Sequence, residues 1–185
     1  MATVLRWLLS LTLPLYLLDQ ATKLWVLRRF APPDDVGGHE EIEVIPGFFW
    51  LHRLHNTGVA FGRFNGGAYS NVIFGSISLV ALIAIAVLWR KNGFPTRLGR
   101  TAAALFITGI LGNLTDRLSH GYVVDFLRFR LGTWYERLTG SPFFASFNVA
   151  DSCICVAAGL LFLSAWQKQP AAQVGPDSGK QSASS

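Results

Sequence analysis

Two aspartates occupy places where apolar sequence gives way to polar sequence: Asp125, shortly after an apolar run that ends near Leu118, and Asp151, where the last apolar run begins. Ionisable side chains at a membrane edge are costly, so they need partners or a function. Near one membrane face, the two can work as a pair on an amide. The ionised carboxylate takes a proton from water as the water attacks the carbonyl. The protonated one hydrogen-bonds the carbonyl oxygen and then helps protonate the leaving nitrogen. At close range both cannot ionise cheaply, so such a pair shares a proton and titrates as a unit. The competing reading is that each aspartate only caps a helix or pairs with Arg117, Arg128 or Arg130.

Polar neighbours surround this pair. Asn148 and Asp151 are three apart, about 60° around a helix, and can share a face; Asn148 can equally be an ordinary N-cap. Asn113 and Arg117 are four apart, with Asp116 nearby. Arg117 can pair with Asp116, or it can hold a substrate carbonyl or a lipid phosphate. Asp19 and Lys23 are four apart in the first apolar run and can pair in the favourable acid-first order. A structural ion pair and a direct role at a site are compatible there. His39, His52, His55 and His120 form no convincing ligand set, and no CxxC or HExxH occurs, so no metal is expected. Cys153 and Cys155 are two apart and point away from each other on a helix, which excludes a mutual disulfide. Cys155, four beyond Asp151, reads as a buried packing thiol. Asn113-Leu114-Thr115 matches a glycosylation sequon, but at membrane depth the match is a false positive.

The elements that must position these residues are membrane spans. The chain has 185 residues, of which 51% are hydrophobic and 15% charged, well below the roughly 25% charged of a soluble domain. Four runs approach the ~20 residues that cross a bilayer: about 5–27, 71–89, 101–118 and 147–166. A signal peptide is the competing reading of the first run. However, no small-x-small cleavage site follows, and apolar character resumes at Leu24-Trp25-Val26-Leu27. Between the first two spans, Glu41-Ile42-Glu43-Val44-Ile45 alternates, Pro46-Gly47 turns, and Phe48–Leu54 is extended again. This predicts a small β-hairpin on the membrane, with Phe48, Phe49 and Trp50 at headgroup depth, in a β region of about 40–62. The small residues of His55-Asn56-Thr57-Gly58-Val59-Ala60-Phe61-Gly62 allow close backbone approach, to a helix or to a peptide. Residues 127–145 read as an outer loop with a short interfacial helix, and 167–185 as a disordered tail. Residues 90–100 hold four basic side chains and no acid, which places that loop and both termini in the cytoplasm. The net charge of +5 does not imply nucleic-acid binding, because the basic residues flank apolar runs instead of clustering on one soluble face.

Four segments together carry a resemblance. They are Asp19-Gln20-Ala21-Thr22-Lys23, then His55-Asn56-Thr57-Gly58-Val59-Ala60-Phe61, then Gly112-Asn113-Leu114-Thr115-Asp116-Arg117 with Gly121-Tyr122-Val123-Val124-Asp125-Phe126, and last Phe147-Asn148-Val149-Ala150-Asp151-Ser152. In this order, over about residues 15–166, the chain closely resembles signal peptidase II, the bacterial lipoprotein signal peptidase family of aspartic proteases. The resemblance implies an all-α integral membrane protein, with four transmembrane helices and a periplasmic β-cradle, in the bacterial inner membrane. It implies cleavage of prolipoprotein signal peptides just before a diacylglyceryl-modified cysteine, at a site near the periplasmic face. It assigns catalysis to Asp125 and Asp151, and support to Asp19, Lys23, Asn56, Gly58, Asn113, Arg117 and Asn148. It implies no metal and no organic cofactor, and the cyclic peptide globomycin as an inhibitor of the site. Membrane lipids are expected partners, and a monomer is expected. The chain departs from the family at Thr108-Gly109-Ile110-Leu111, at Val59, and in a longer interval between Asp125 and Asp151. A small proton or ion transporter is the reading from another class, since buried acids also mark proton relays; no internal repeat of the kind transporters carry is visible. A non-catalytic lipid-binding scaffold is the third.

Overall fold

The computed structural model describes residues 2–33, 40–58 and 67–166. The first helical run is continuous in three parts: α1 (Ala2–Trp7), a π-helical stretch (Leu8–Thr12) and α2 (Leu13–Arg29). Strands β1 (Glu41–Ile45) and β2 (Phe49–Asn56) follow, then helices α3 (Gly67–Arg90) and α4 (Arg97–His120). Strand β3 (Val123–Phe129), the short helix α5 (Thr133–Thr139) and helix α6 (Val149–Trp166) complete the order. The predicted disordered tail, His39 and the stretch from Val59 to Gly62 lie outside the described residues.

Two helices, Ser70–Arg90 and Val149–Trp166, are apolar and long enough to cross a membrane on composition alone. Along α3, Val72, Ile73, Ile77, Val80 and Ile83 point outward, as side chains facing lipid must. The other two long helices carry charges in their interiors, and those charges turn inward. Asp19, Lys23 and Asp116 are each at most 2% exposed.

Helix α4 is held against α6 by small residues. Ala102, Ala103 and Ala104 of α4 and Ala150 and Ala157 of α6 are buried. Without a hydrophobic force between helices in lipid, close backbone approach supplies the packing. A Cβ on Gly112 would come within 2.5 Å of Asp19 Oδ2 and 2.9 Å of Ala150 Cβ. One on Gly109 would run into the Ala150 carbonyl oxygen and the Ile154 side chain. Helix α4 begins at Thr96, whose hydroxyl accepts from Gly99 N at 2.9 Å. It ends at Gly121, where φ is +80° and the N–H reaches Arg117 O. That left-handed cap favours glycine and turns the chain out of the helix.

The sheet corrects the all-α expectation with its two-stranded hairpin. It is three-stranded and antiparallel, in the order β1-β2-β3. The third strand is the stretch just after Gly121, and it carries Asp125. Leu54 pairs with Asp125 and Asn56 with Val123 across β2 and β3. On the other side Phe147 bridges to Leu127, with Leu127 N donating to Phe147 O at 2.9 Å. Among the described residues the β strands of this region run from Glu41 to Asn56, and residues 59–62 of the expected stretch lie outside them. Span edges shift by a few residues: the third helix starts at Arg97, and the fourth starts at Val149 because Phe147 is committed to β3. Under the sheet, Val26, Phe30, Val124 and Phe126 form a buried cluster that fixes β3 to the end of α2. The short helix expected in the outer loop is α5.

Gly109→Val should separate α4 from α6, because its new side chain meets backbone that cannot yield. Overpacking of this kind costs about 1–3 kcal/mol. A thermal melt of the purified variant should show a lowered midpoint, and an unchanged midpoint would contradict the close packing.

Candidate active site

Two side chains organise the site, the buried Lys23 and the half-buried Asn113. Lys23 Nζ lies 2.9 Å from Asp19 Oδ2 and 3.0 Å from Asp116 Oδ2, and donates to Asn113 Oδ1 at 3.1 Å. A buried cation with two carboxylates is tolerable only when every charge is paired and hydrogen-bonded. The remaining oxygens are indeed used. Asp19 Oδ1 accepts from Ala150 N at 2.8 Å, at the start of α6. Asp116 Oδ2 also accepts from Val124 N at 3.0 Å, next to Asp125 in β3. Gln20 Nε2 donates to Asp19 Oδ2 and to Gly112 O. This triad therefore ties α2, α4, β3 and α6 to one point.

Asn113 is the second organiser. Its Oδ1 accepts from both Lys23 and Asn148 Nδ2, so its amide nitrogen faces the other way. It donates to Asp151 Oδ1 at 2.7 Å. Asn148 is completely buried. Its Nδ2 donates to Asp125 Oδ1 at 2.8 Å and to Val124 O at 3.3 Å. At the same time it caps α6: Asp151 N donates to Asn148 Oδ1 at 2.9 Å, and Asn148 N donates to Asp151 Oδ2 at 3.2 Å. This is a reciprocal capping box. Asn148 is thus the N-cap of α6 and at the same time a hydrogen-bond donor to Asp125.

Asn56 completes the set. Gly58, at φ +77°, donates its N–H to Asn56 Oδ1 at 2.9 Å. Asn56 Nδ2 then donates to Asp125 Oδ2 at 2.9 Å. A side chain at position 58 would overlap the Phe74 ring, so glycine is required twice over. All four carboxylate oxygens of Asp125 and Asp151 thus accept an amide N–H. No lysine or arginine forms a salt bridge with either among the described residues. Neutral donors orient the pair without neutralising it. Asp125 is 1% exposed. Burial first, and the charge of Asp151 second, push its carboxyl up to about 7, against the pull of Asn56 and Asn148. A pair in which one member holds its proton near neutrality can act as acid and base at once.

Every expected site residue is described, and eight of the nine are joined by close hydrogen bonds, with Arg117 attached only by a long one to a backbone oxygen. Arg117 differs. It does not pair with Asp116, whose carboxylate belongs to Lys23 and Val124; neighbours in sequence on a helix do not face the same way. Its guanidinium carbon sits 4.8 Å from the Phe74 ring centroid, its Nη1 reaches Asn113 O at 3.5 Å, and its buried Nε has no partner. Arg117 bonds neither aspartate, though its charge acts on both. Arg128 bonds Glu41 Oε2 at 2.8 Å and lies over Phe143. Cys155 is exposed, and Cys153 is the buried thiol, because the packed face of α6 runs through Ala150, Cys153 and Ala157. Burial, together with the charges of Arg53 and His120, lowers His55 to about 4, and its Nε2 accepts from Arg53 Nε at 2.9 Å. No group of three metal-binding side chains occurs among the described residues. Sequence reasoning missed Asp116 and Gln20 as members of the network. The signal for Asp116 was its distance of four from Gly112 and of three from Asn113, which places it on the inward face of α4.

A mostly helical bundle with a three-stranded antiparallel sheet is the fold of known membrane enzymes. Two solved structures, both described as a bacterial membrane enzyme determined by the in meso method, share it. One, at 2.3 Å resolution, has a TM-score of 0.69 and 23% identity over 99% of this chain and 96% of its own. The other, at 1.9 Å, has a TM-score of 0.68 and 26% identity over 91% and 96%. The signal peptidase II family profile matches residues 11–167. The lipoprotein signal peptidase of Symbiobacterium thermophilum is 41% identical over 145 residues, 78% of this chain and 84% of that protein. That of Salmonella newport is 34% identical over 173 residues, 93% and 95% of the two chains. The chain belongs to the signal peptidase II family, and it is an aspartic peptidase. This membership replaces the transporter and scaffold readings.

Lys23→Met should leave Asp19 and Asp116 buried without their cation. Breaking a buried pair costs about 3–5 kcal/mol. The melting midpoint should fall steeply, and adding Asp19→Asn in the same chain should recover part of the loss. A double variant no more stable than Lys23→Met alone would show that the three charges are not coupled.

Proposed function

We propose that Asp125 and Asp151 are the catalytic pair of this lipoprotein signal peptidase, which removes signal peptides from prolipoproteins. The observation that carries the reading is the set of four amide donors, one to each carboxylate oxygen, with no cation bonded to the pair. Asp125, the more buried of the two, holds the shared proton and hydrogen-bonds the scissile carbonyl. Asp151 lies at the more open side and takes the proton of the attacking water. As the tetrahedral intermediate collapses, Asp151 passes that proton to the leaving nitrogen. Asn56, Asn113 and Asn148 hold both carboxylates in register, and Lys23, Asp19 and Gly58 hold the asparagines and the elements that bear them. Arg117, with its free Nε, is placed to take a carbonyl of the bound peptide.

The substrate bears a diacylglyceryl-modified cysteine, and cleavage falls just before it. Both long apolar helices and the two with inward charges cross the membrane, giving four spans. Residues 90–100 and both termini face the cytoplasm, and the sheet with the pair lies near the periplasmic face. A globomycin-type cyclic peptide occupies the same site. One chain supplies every residue of the network, so a monomer suffices.

Asp125→Asn and Asp151→Asn should each abolish cleavage of a diacylglyceryl-modified peptide in vitro while the melting midpoint stays near that of the parent; cleavage by either variant would sink the assignment. The rate should also fall as pH rises through about 7, where Asp125 loses its proton. Asn56 favours the ionised carboxylate, so Asn56→Ala should raise that pKa and move the alkaline limb to higher pH. A limb that stays in place or moves down would contradict the role given to Asp125.

A further inference from the structure

A groove of about 1360 Å³ opens sideways at the end of the bundle remote from the aspartate pair. One wall is the first helix, from Val4 to Tyr16, and the other is α3, at Leu82 and Ala86. Both helices pack on α4, yet they do not pack on each other. Space of this size between helices in a bilayer does not stay empty, because its lining loses its contacts. The wall is also irregular: the π-helical stretch Leu8–Thr12 lies along it, and such stretches are frequent at functional sites.

The ends of the groove differ. At the deep end the polar groups are already used: Thr12 Oγ1 donates to Ala104 O at 3.0 Å, and Tyr16 Oη and Thr115 Oγ1 share a hydrogen bond of 3.1 Å. What faces the space there is apolar. At the mouth stand Arg90, Asn92 and Arg100. Arg100 is fixed, donating to Phe94 O and Pro95 O. Arg90 is exposed and has no partner among the described residues. From Val4 to Tyr16 the helix rises about 18 Å at 1.5 Å per residue. That is close to one leaflet of hydrocarbon, about 15 Å. A cationic mouth on an apolar slot one leaflet deep suits a molecule with an anionic head and two acyl chains.

We propose that this groove binds one anionic phospholipid from the leaflet that faces residues 90–96. Its acyl chains lie between the first helix and α3, and its phosphate sits at Arg90 with Asn92 and Arg100 beside it. The rival occupant is the substrate's own signal peptide. Its n-region is positively charged, so it would meet Arg90 and Arg100 as like charges. The lipid wedges α3 against α4 from the side opposite the pair, and it does not touch the reacting groups.

The test uses the full chain in detergent, delipidated and titrated with phosphatidylglycerol or phosphatidylcholine, with bound lipid counted by native mass spectrometry. Arg90→Gln is compared with Arg97→Gln, which removes an exposed charge at the start of α4 that does not line the groove. Arg90→Gln should weaken phosphatidylglycerol binding about fivefold, the effect of one cation at a headgroup, and Arg97→Gln should leave it unchanged. A photoreactive residue in place of Leu82 should capture the lipid. Equal binding of the two lipids, or equal losses in the two variants, would mean only non-specific annular lipid and overturn the proposal. Capture of a substrate signal peptide from Leu82 in preference to lipid would overturn it in favour of the rival.

Discussion

The buried cation Lys23 is the constraint on which the rest of the site depends. Two carboxylates on different helices, Asp19 and Asp116, pair with it in a place closed to water. Their spare hydrogen-bonding capacity then reaches out to the backbone of two further elements, at Ala150 and Val124. An arrangement that looks like a cost of burial therefore becomes a device of placement. It fixes the first turn of α6, which bears Asp151, and the strand that bears Asp125. The desolvation of three charges is offset by a common reference point for four elements. The glycines at 109 and 112 serve the same end by letting α6 come close enough for Ala150 N to reach Asp19.

Above that charged layer the chemistry changes. The aspartate pair is hydrogen-bonded by amides, and the nearby charges of Lys23 and Arg117 form no salt bridge with it among the described residues. This difference is physical in consequence: a cation bonded to Asp125 would favour its ionised form, whereas burial beside Asp151 with only neutral donors lets its carboxyl keep a proton near neutrality. Asn113 stands between the layers. It accepts from Lys23 below and donates to Asp151 above, so the charged layer dictates the orientation of an amide in the neutral one. Asn148 then links the two aspartates directly, since it bonds Asp125 through its side chain and Asp151 through a capping box.

Much of this could be read from residue types and spacing. Charged residues within apolar runs had to turn inward, and Asp19 and Lys23, four apart, had to share a face. Asp125 and Asp151 as a candidate pair, and the asparagines that bond them, were legible from the motifs. The third strand was not. Val123–Phe129 is a strand because β2 and Phe147 lie on either side of it, and those partners are distant in sequence. The run Val-Val-Asp-Phe after a helix-ending glycine was the local clue, diluted by Arg128 and Arg130. Asp116 was hidden by its neighbour: Arg117 stood ready as a partner in sequence, but adjacent helical residues diverge by about 100°, so Asp116 faces Lys23 while Arg117 lies on Phe74. Cys155 was placed inside by its spacing from Asp151, although the packed face of α6 passes through Cys153.

The central claim is that the aspartate pair holds one proton between its members near neutral pH, because it is buried and bonded by amides and no cation is bonded to it. The most direct measurement is difference infrared spectroscopy of carboxyl groups in the resting enzyme, with isotope-labelled aspartate, compared with Asp125→Asn. The account predicts a protonated carboxyl band at pH 6 that fades as pH rises through about 7 and is absent from the variant. A parent enzyme without such a band, or one whose band survives Asp125→Asn unchanged, would contradict it.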